Sequence, residues 1–201
     1  MCREIGSAAG GRVSEVRRAS IGYPGGLAAR YRWGSSGSAE EVFALSESGG
    51  ALTDHADLAG DDPSRMCHAE LRIEGPLGIW TARFASPVFD EPAGLLWDEH
   101  MQLVVKYGFR VYGLAARTGE LLWSHLSGTP VVVVLGSPRL GHVIVQSEVE
   151  TVALDAAGET RWRVAHGDVI AGAQLVGGML TLTTYGGEVV GLDPATGRPT
   201  A

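Results

Sequence analysis

With 201 residues, 45% of them hydrophobic, 19% charged and 29 of them glycine, the chain has apolar material for one buried core and too many turn formers for long helices. Its formal net charge of −7 offers no basic field to gather phosphates, so neither a nucleic-acid groove nor an anionic membrane surface is expected as a partner. Cys2 and Cys67 lie far apart, which implies no disulfide framework, and of the 16 basic residues only Lys106 is a lysine.

Residues 1–22 contain no apolar run of signal-peptide length and read as a flexible N-terminal tail. No later run approaches a membrane span, the longest being Val131–Leu135. On this reading the protein is cytoplasmic, and residues 23–201 form a single β domain.

Residues 28–79 carry a degraded pattern. The segment AARYRW, Ala28–Trp33, looks like a strand ending on tryptophan, and EVFALSESGGAL, Glu41–Leu52, has a strand and a glycine turn. Four residues after Gly50 stands Asp54 rather than tryptophan, and the 26 residues from there to Trp80 are too few for a four-stranded unit. Residues 53–70 read as an acidic loop. Its Asp54, His55, Asp57, Asp61, Asp62, Cys67 and His68 mix hard and soft donors at no metal-binding spacing, so no metal site is expected there.

From Trp80 onward the chain repeats. VYGLAARTGELLW (Val111–Trp123), TVALDAAGETRW (Thr151–Trp162) and VVGLDPATGRPTA (Val189–Ala201) each present a short strand and then a glycine turn. Gly119 and Gly158 precede Trp123 and Trp162 by four residues, and Gly197 precedes Ala201 by four. Pro87 and Pro130 each follow a tryptophan by seven, and Trp80, Trp123 and Trp162 are spaced by 43 and 39 residues. A period near 40 is the size of a four-stranded propeller blade.

Within one period, Val131–Leu135, His142–Ser147, Thr151–Leu154 and Thr160–Val164 are four predicted strands; the next period gives Met179–Thr184 and Glu188–Leu192 around a Gly-Gly turn. Between Trp97 and Gln102, the run Asp98-Glu99-His100 reads as a loop tip, not an acid–base pair. Trp97 falls outside the tryptophan register and is the candidate surface anchor for a partner.

The stretches AARTGELLW, ALDAAGETRW and GLDPATGRPT resemble the tryptophan-docking repeat of the PQQ-like β-propellers, a family that includes quinoprotein dehydrogenases and a lipoprotein of the outer-membrane assembly machinery. The resemblance covers residues 80–201. It implies an all-β, propeller-like array of four-stranded repeats, about four blades or an incomplete set. Asp155 and Asp193 would fix the turns by binding backbone amides, Gly119, Gly158 and Gly197 would supply positive φ, and Trp80, Trp123 and Trp162 would pin neighbouring sheets. The departures are Ala115 in place of aspartate, a turn one residue short before Gly158, and Ala201 in place of the last tryptophan. One expectation is that Ala28–Trp33 supplies the strand that completes the last blade.

In the quinoprotein dehydrogenases the family site needs a stacking tryptophan, a vicinal disulfide and a calcium ligand set. This chain has no adjacent cysteines, so no cofactor and no catalytic residue are expected. The expected function is a non-catalytic protein-interaction scaffold with an unidentified protein partner. Alternatives are a sugar- or small-molecule-binding propeller, a degenerate quinoprotein-type enzyme, or a fragment of a larger propeller that self-associates through open sheet edges.

Overall fold

Consecutive apolar residues such as Leu103–Val105 and Val143–Val145 are buried on both faces of the two middle sheets, and the fold is the stacking of those faces. The computed structural model describes residues 15–44, 49–59, 62–76 and 78–200. Sixteen strands are described, in four sheets. The second sheet runs β6 (Ala93–Trp97), β7 (Gln102–Tyr107), β8 (Arg110–Ala115), β9 (Leu121–Leu126); the third runs β10 (Val131–Leu135), β11 (Val143–Ser147), β12 (Glu150–Leu154), β13 (Thr160–Ala165). Both are antiparallel meanders. The fourth contains β14 (Ile170–Val176), β15 (Met179–Thr184) and β16 (Val189–Leu192). From residue 131 onward the six expected strands are present, within a residue or two at their ends, and β14 is an additional strand that the sequence pattern did not announce.

The first sheet corrects the reading of the upstream half. Its strands β1 (Arg17–Tyr23), β2 (Leu27–Gly34), β4 (Cys67–Gly75) and β5 (Gly78–Ser86) make a complete four-stranded unit, with β3 (Ala51–Asp54) added parallel to β5. Residues 35–66 are an insertion between the second and third strands of that unit, and this insertion breaks the 40-residue period. Arg17–Gly22, assigned to the tail, pair residue by residue with Trp33–Ala28. The segment Ala28–Trp33 does not complete the last sheet, because both its edges are already paired, to β1 and β4. Nor are residues 53–70 simply a solvated loop, since His55 is 3% exposed and Cys67–Glu70 lie within β4.

Three apolar seams join the four sheets in chain order. In the first, Tyr31, Trp33, Leu71 and Phe84 of the first sheet meet Leu103, Val105, Tyr107 and Tyr112 of the second. In the second, Val104, Val111 and Trp123 meet Val143, Val145, Val152 and Leu154. In the third, Ile144 and Trp162 meet Leu180, Leu182 and Leu192. Odd and even residues of one strand thus serve different seams, as Leu103 and Val104 show.

The two ends of this row differ. On the first sheet, the face away from the second sheet carries Arg30, Arg32, Glu70, Arg72, Glu74 and Arg83, and the insertion covers part of it. Arg32 donates to the Glu41 carbonyl and Arg72 Nη1 to the Gly49 carbonyl at 2.7 Å. The Arg83 guanidinium lies 4.5 Å from the Phe43 ring centroid, just past the one-turn helix α1 (Ala39–Val42). A polar, covered outer face is how a stacked array ends in water. The fourth sheet has no such cover among the described residues. The architecture is that of an incomplete β-propeller. Among the described residues, no helix is long and apolar enough to cross a membrane.

Candidate functional site

Each seam is fastened by a tryptophan of one sheet against a glycine turn of the next. A Cβ added at Gly119 would lie 2.5 Å from the Trp80 ring; at Gly158, 2.8 Å from Trp123; at Gly197, 2.5 Å from Trp162. The three glycines have φ of 74°, 80° and 70°, so a side chain is opposed both by the backbone angle and by the indole it faces. The tryptophan's partner is therefore the glycine one repeat further on, not the glycine four residues before it.

The turns share a backbone frame. The amides of Ala115, Asp155 and Asp193 donate to the carbonyls of Glu120, Glu159 and Arg198 at 2.8, 3.0 and 2.8 Å. Asp155 Oδ1 accepts from the amides of Ala157 and Glu159, each at 3.0 Å. Asp193 accepts from the Ala195 amide at 2.9 Å and the Thr196 hydroxyl at 2.8 Å. Those two donors hold the Asp193 carboxyl below the usual carboxylate range. Where Ala115 replaces the aspartate, the Thr118 hydroxyl instead accepts from the Glu120 amide at 3.3 Å.

Two residues that the sequence reading passed over adapt the seams to the irregular turns. Trp80 Nε1 donates directly to the Ala116 carbonyl at 3.0 Å. At the next seam, whose turn is one residue shorter, Trp123 Nε1 donates to Gln102 Oε1 at 3.1 Å, and Gln102 Nε2 donates to the Ala156 carbonyl at 2.8 Å. At the third seam His142, which precedes β11 as Gln102 begins β7, donates from Nε2 to the Pro194 carbonyl at 2.8 Å. Trp162 Nε1 is left without a partner among the described residues. Gly113 is the third omission. It faces Trp123 within its own sheet, an added Cβ standing 2.1 Å from the ring, and a glycine inside an otherwise apolar strand is the signal that marks such an approach.

Trp97 is not a surface anchor. It is 6% exposed, at the end of β6 in the core between the second and third sheets, edge-on to His100 with ring centroids 4.4 Å apart. Asp98, Glu99 and His100 form one exposed turn after it. Two clefts open beside the hairpin connections of the inner strands. One of about 600 Å³ is lined by Leu95, Trp97, Asp98, Glu99 and Val134, the other of about 550 Å³ by Leu140, Leu175, Gly178 and Asp193; both share the rim Gly136–Pro138.

The donors of residues 54–68 are scattered. His55 lies against Phe84 and Tyr112, its ring centroid 5.6 Å from each. Asp54 and Asp62 accept from the amides of Ala56 and Ser64, and Asp61 lies outside the described residues. Among the described residues no three His, Cys, Asp or Glu side chains converge, and Cys67 is a buried free thiol with its pKa raised by burial. This donor set does not fit a quinone held by a vicinal disulfide and calcium. Lys106 is a buried charge whose Nζ lies 2.8 and 2.9 Å from the Asp90 carboxylate oxygens.

The surface without a counterpart elsewhere in the molecule is the outward face of the fourth sheet. Strand register aligns Val104, Lys106, Val111 and Gly113 with Ile144, Gln146, Thr151 and Ala153, and these with Thr181, Thr183, Val189 and Gly191. The following sheet covers the first two sets, leaving Val111 and Thr151 at 0%, whereas Val189 is 67% exposed. Val176 and Met179, a cross-strand pair at the β14–β15 hairpin end of the same sheet, are exposed at 63% and 44%.

No family model and no curated protein matches the chain. Among solved structures it is similar to BamB from Moraxella catarrhalis, with 15% identity and a TM-score of 0.54, over 93% of this chain and 65% of that one. It is similar to the dihydro-heme d1 dehydrogenase NirN, with 14% identity and a TM-score of 0.54, over 69% and 34%. A europium-containing methanol dehydrogenase matches 50% of this chain and 22% of its own length, with 18% identity and a TM-score of 0.43. The chain thus spans less than two thirds of each of these proteins. At such identities the likeness is one of fold, and the fold shared with BamB and NirN is the β-propeller.

Proposed function

We propose that the protein is a non-catalytic interaction scaffold built on PQQ-like propeller repeats, and that it meets its partner on the fourth sheet. The observation that carries this reading is the exposed apolar set Val176, Met179 and Val189 on a face that the repeat elsewhere buries under another sheet. Apolar area of this kind, rimmed by polar groups, marks interaction surfaces. The enzymatic neighbours support no transfer of activity, because their likeness is confined to fold.

The experiment compares the wild-type chain with a Val176→Arg/Met179→Glu double variant. The substitutions are exposed, so the thermal midpoint is expected to stay within about 2 °C. A partner captured by the wild type and lost by the variant supports the scaffold. Equal capture by both, or dye-linked alcohol oxidation on adding pyrroloquinoline quinone and calcium, contradicts it.

A further inference from the structure

We propose that the free edge of β16 binds an extended strand of a partner polypeptide in which an aromatic residue is followed by a basic one. The strand adds antiparallel, in the place that β13 holds in the third sheet. This inference rests on the scaffold reading and specifies its surface and the chemistry of its partner.

Hydrogen-bonding capacity comes first. β12 pairs with β13 from Glu150 to Leu154, whereas β16, paired with β15 on one side, meets on the other, among the described residues, the bridge Leu192↔Pro199 and the bond from the Thr200 amide to the Gly191 carbonyl, 2.9 Å. An edge with unpaired amides and carbonyls is a template for strand addition. Pro199 and Thr200 are exposed, so the contact an incoming strand displaces is small.

Shape comes second. Gly191 occupies the register position of Gly113 and Ala153, the residues that lie opposite Trp123 and Trp162. Gly113 stands where its Cβ would be 2.1 Å from the Trp123 ring; the same construction at Gly191 meets only Thr200 Oγ1, at 2.4 Å, and Met179 Sδ, at 3.3 Å. The notch that elsewhere receives an indole here holds one threonine side chain. An aromatic residue entering it extends the tryptophan series to the fourth sheet and carries ~150–250 Å² of surface to the patch.

Charge comes third. In the third sheet Glu150 lies 3.2 Å from Arg163, and Asp155 lies 3.8 Å from Arg161, on either side of Trp162. Glu188 and Asp193 hold those positions in the fourth sheet. Glu188 is exposed and has no ion pair among the described residues. A basic residue just after the aromatic one satisfies it.

A second copy of this chain is the poorer occupant. Its strands of this type, β9 and β13, are committed to their own sheets, and the outer face of its first sheet is partly covered by the insertion. Continuity of the seam with those between the first three sheets therefore favours an added strand over a docked second copy.

The probe is a labelled peptide of sequence ETRWRVA, identical to Glu159–Ala165, titrated into the 201-residue chain by fluorescence anisotropy. The expected result is saturable binding with a dissociation constant below about 1 mM. Replacing the peptide's tryptophan by alanine weakens it at least about tenfold. Gly191→Val does the same, and a chain ended at Arg198 binds more tightly than the full chain. Glu188→Lys weakens binding about fivefold, and the loss is recovered when the peptide's second arginine is replaced by glutamate. Absence of saturable binding, indifference to the tryptophan or to the Arg198 truncation, or a dimer that excess peptide leaves intact each overturns the proposal. If the peptide fails while the Val176→Arg/Met179→Glu variant still loses its partner, this inference falls and the scaffold reading stands.

Discussion

Trp123 lies between two glycines, Gly113 of its own sheet and Gly158 of the next, so its burial depends on the absence of both Cβ atoms. Gly158→Ala is expected to lower stability by about 2–4 kcal/mol, combining left-handed backbone strain with overpacking against the indole. Urea unfolding measures it. Trp80→Ala and Trp123→Ala are expected to lower stability by about 3–5 kcal/mol each, and Trp162→Ala by roughly half as much, since Trp162 is only half-buried and its indole N–H has no partner among the described residues. Equal costs at all three would show that the third seam is as tight as the others. Lys106→Met leaves the Asp90 carboxylate without its cation and is expected to lower stability by about 3 kcal/mol, discounted from the fully buried case because Asp90 is 21% exposed. The tryptophan–glycine pairing was legible as a register in the sequence, but the identity of the paired glycine was not, since a residue 35–39 positions downstream becomes a neighbour only after the sheets stack. Gln102 and His142 left no sequence signal, because their roles arise from turns that differ in length and in residue type.

At the scale of elements, β10–β13, β15 and β16 were readable as short apolar or alternating runs bounded by glycine or proline turns, whereas β14, IAGAQLV, has too weak a pattern to be placed. The first sheet was not. Its four strands are as regular as the others, yet residues 35–66 separate the second from the third and shift every spacing upstream of Trp80. β1 was hidden for a different reason: RRASIGY has no buried residue and is held by its ladder to β2, a pairing that polarity alone does not announce. The candidate interaction surface was half legible. Ala201 in the tryptophan register pointed to an irregular last sheet, whereas the outward exposure of Val189 required the register across three sheets. Removing residues 35–44 is expected to uncover part of the arginine-rich face of the first sheet and lower its stability while leaving the third seam intact, which hydrogen exchange at the amides of Ile144 and Leu180–Leu182 in the otherwise unchanged chain can follow.

For the whole molecule, burial lowers the pKa of His55, His68, His125 and His166. Each binds a proton more readily in the unfolded chain, where the ordinary value is about 6.5. Below that pH the unfolded state therefore holds more protons, and stability falls with acidification through the lower native values. The thermal midpoint is expected to drop between about pH 7 and pH 5, before the carboxylates titrate; a flat profile would mean these imidazoles are as solvated in the native state as in the unfolded one. The described residues form a row of four sheets with three apolar seams, covered in part at the first sheet and uncovered at the fourth. Hydrogen exchange read residue by residue tests it most directly. Amides of Val189–Leu192 are expected to exchange at least about tenfold faster than those of Val111–Leu114 and Thr151–Leu154. Equal protection of all three segments in a dilute monomer would contradict it.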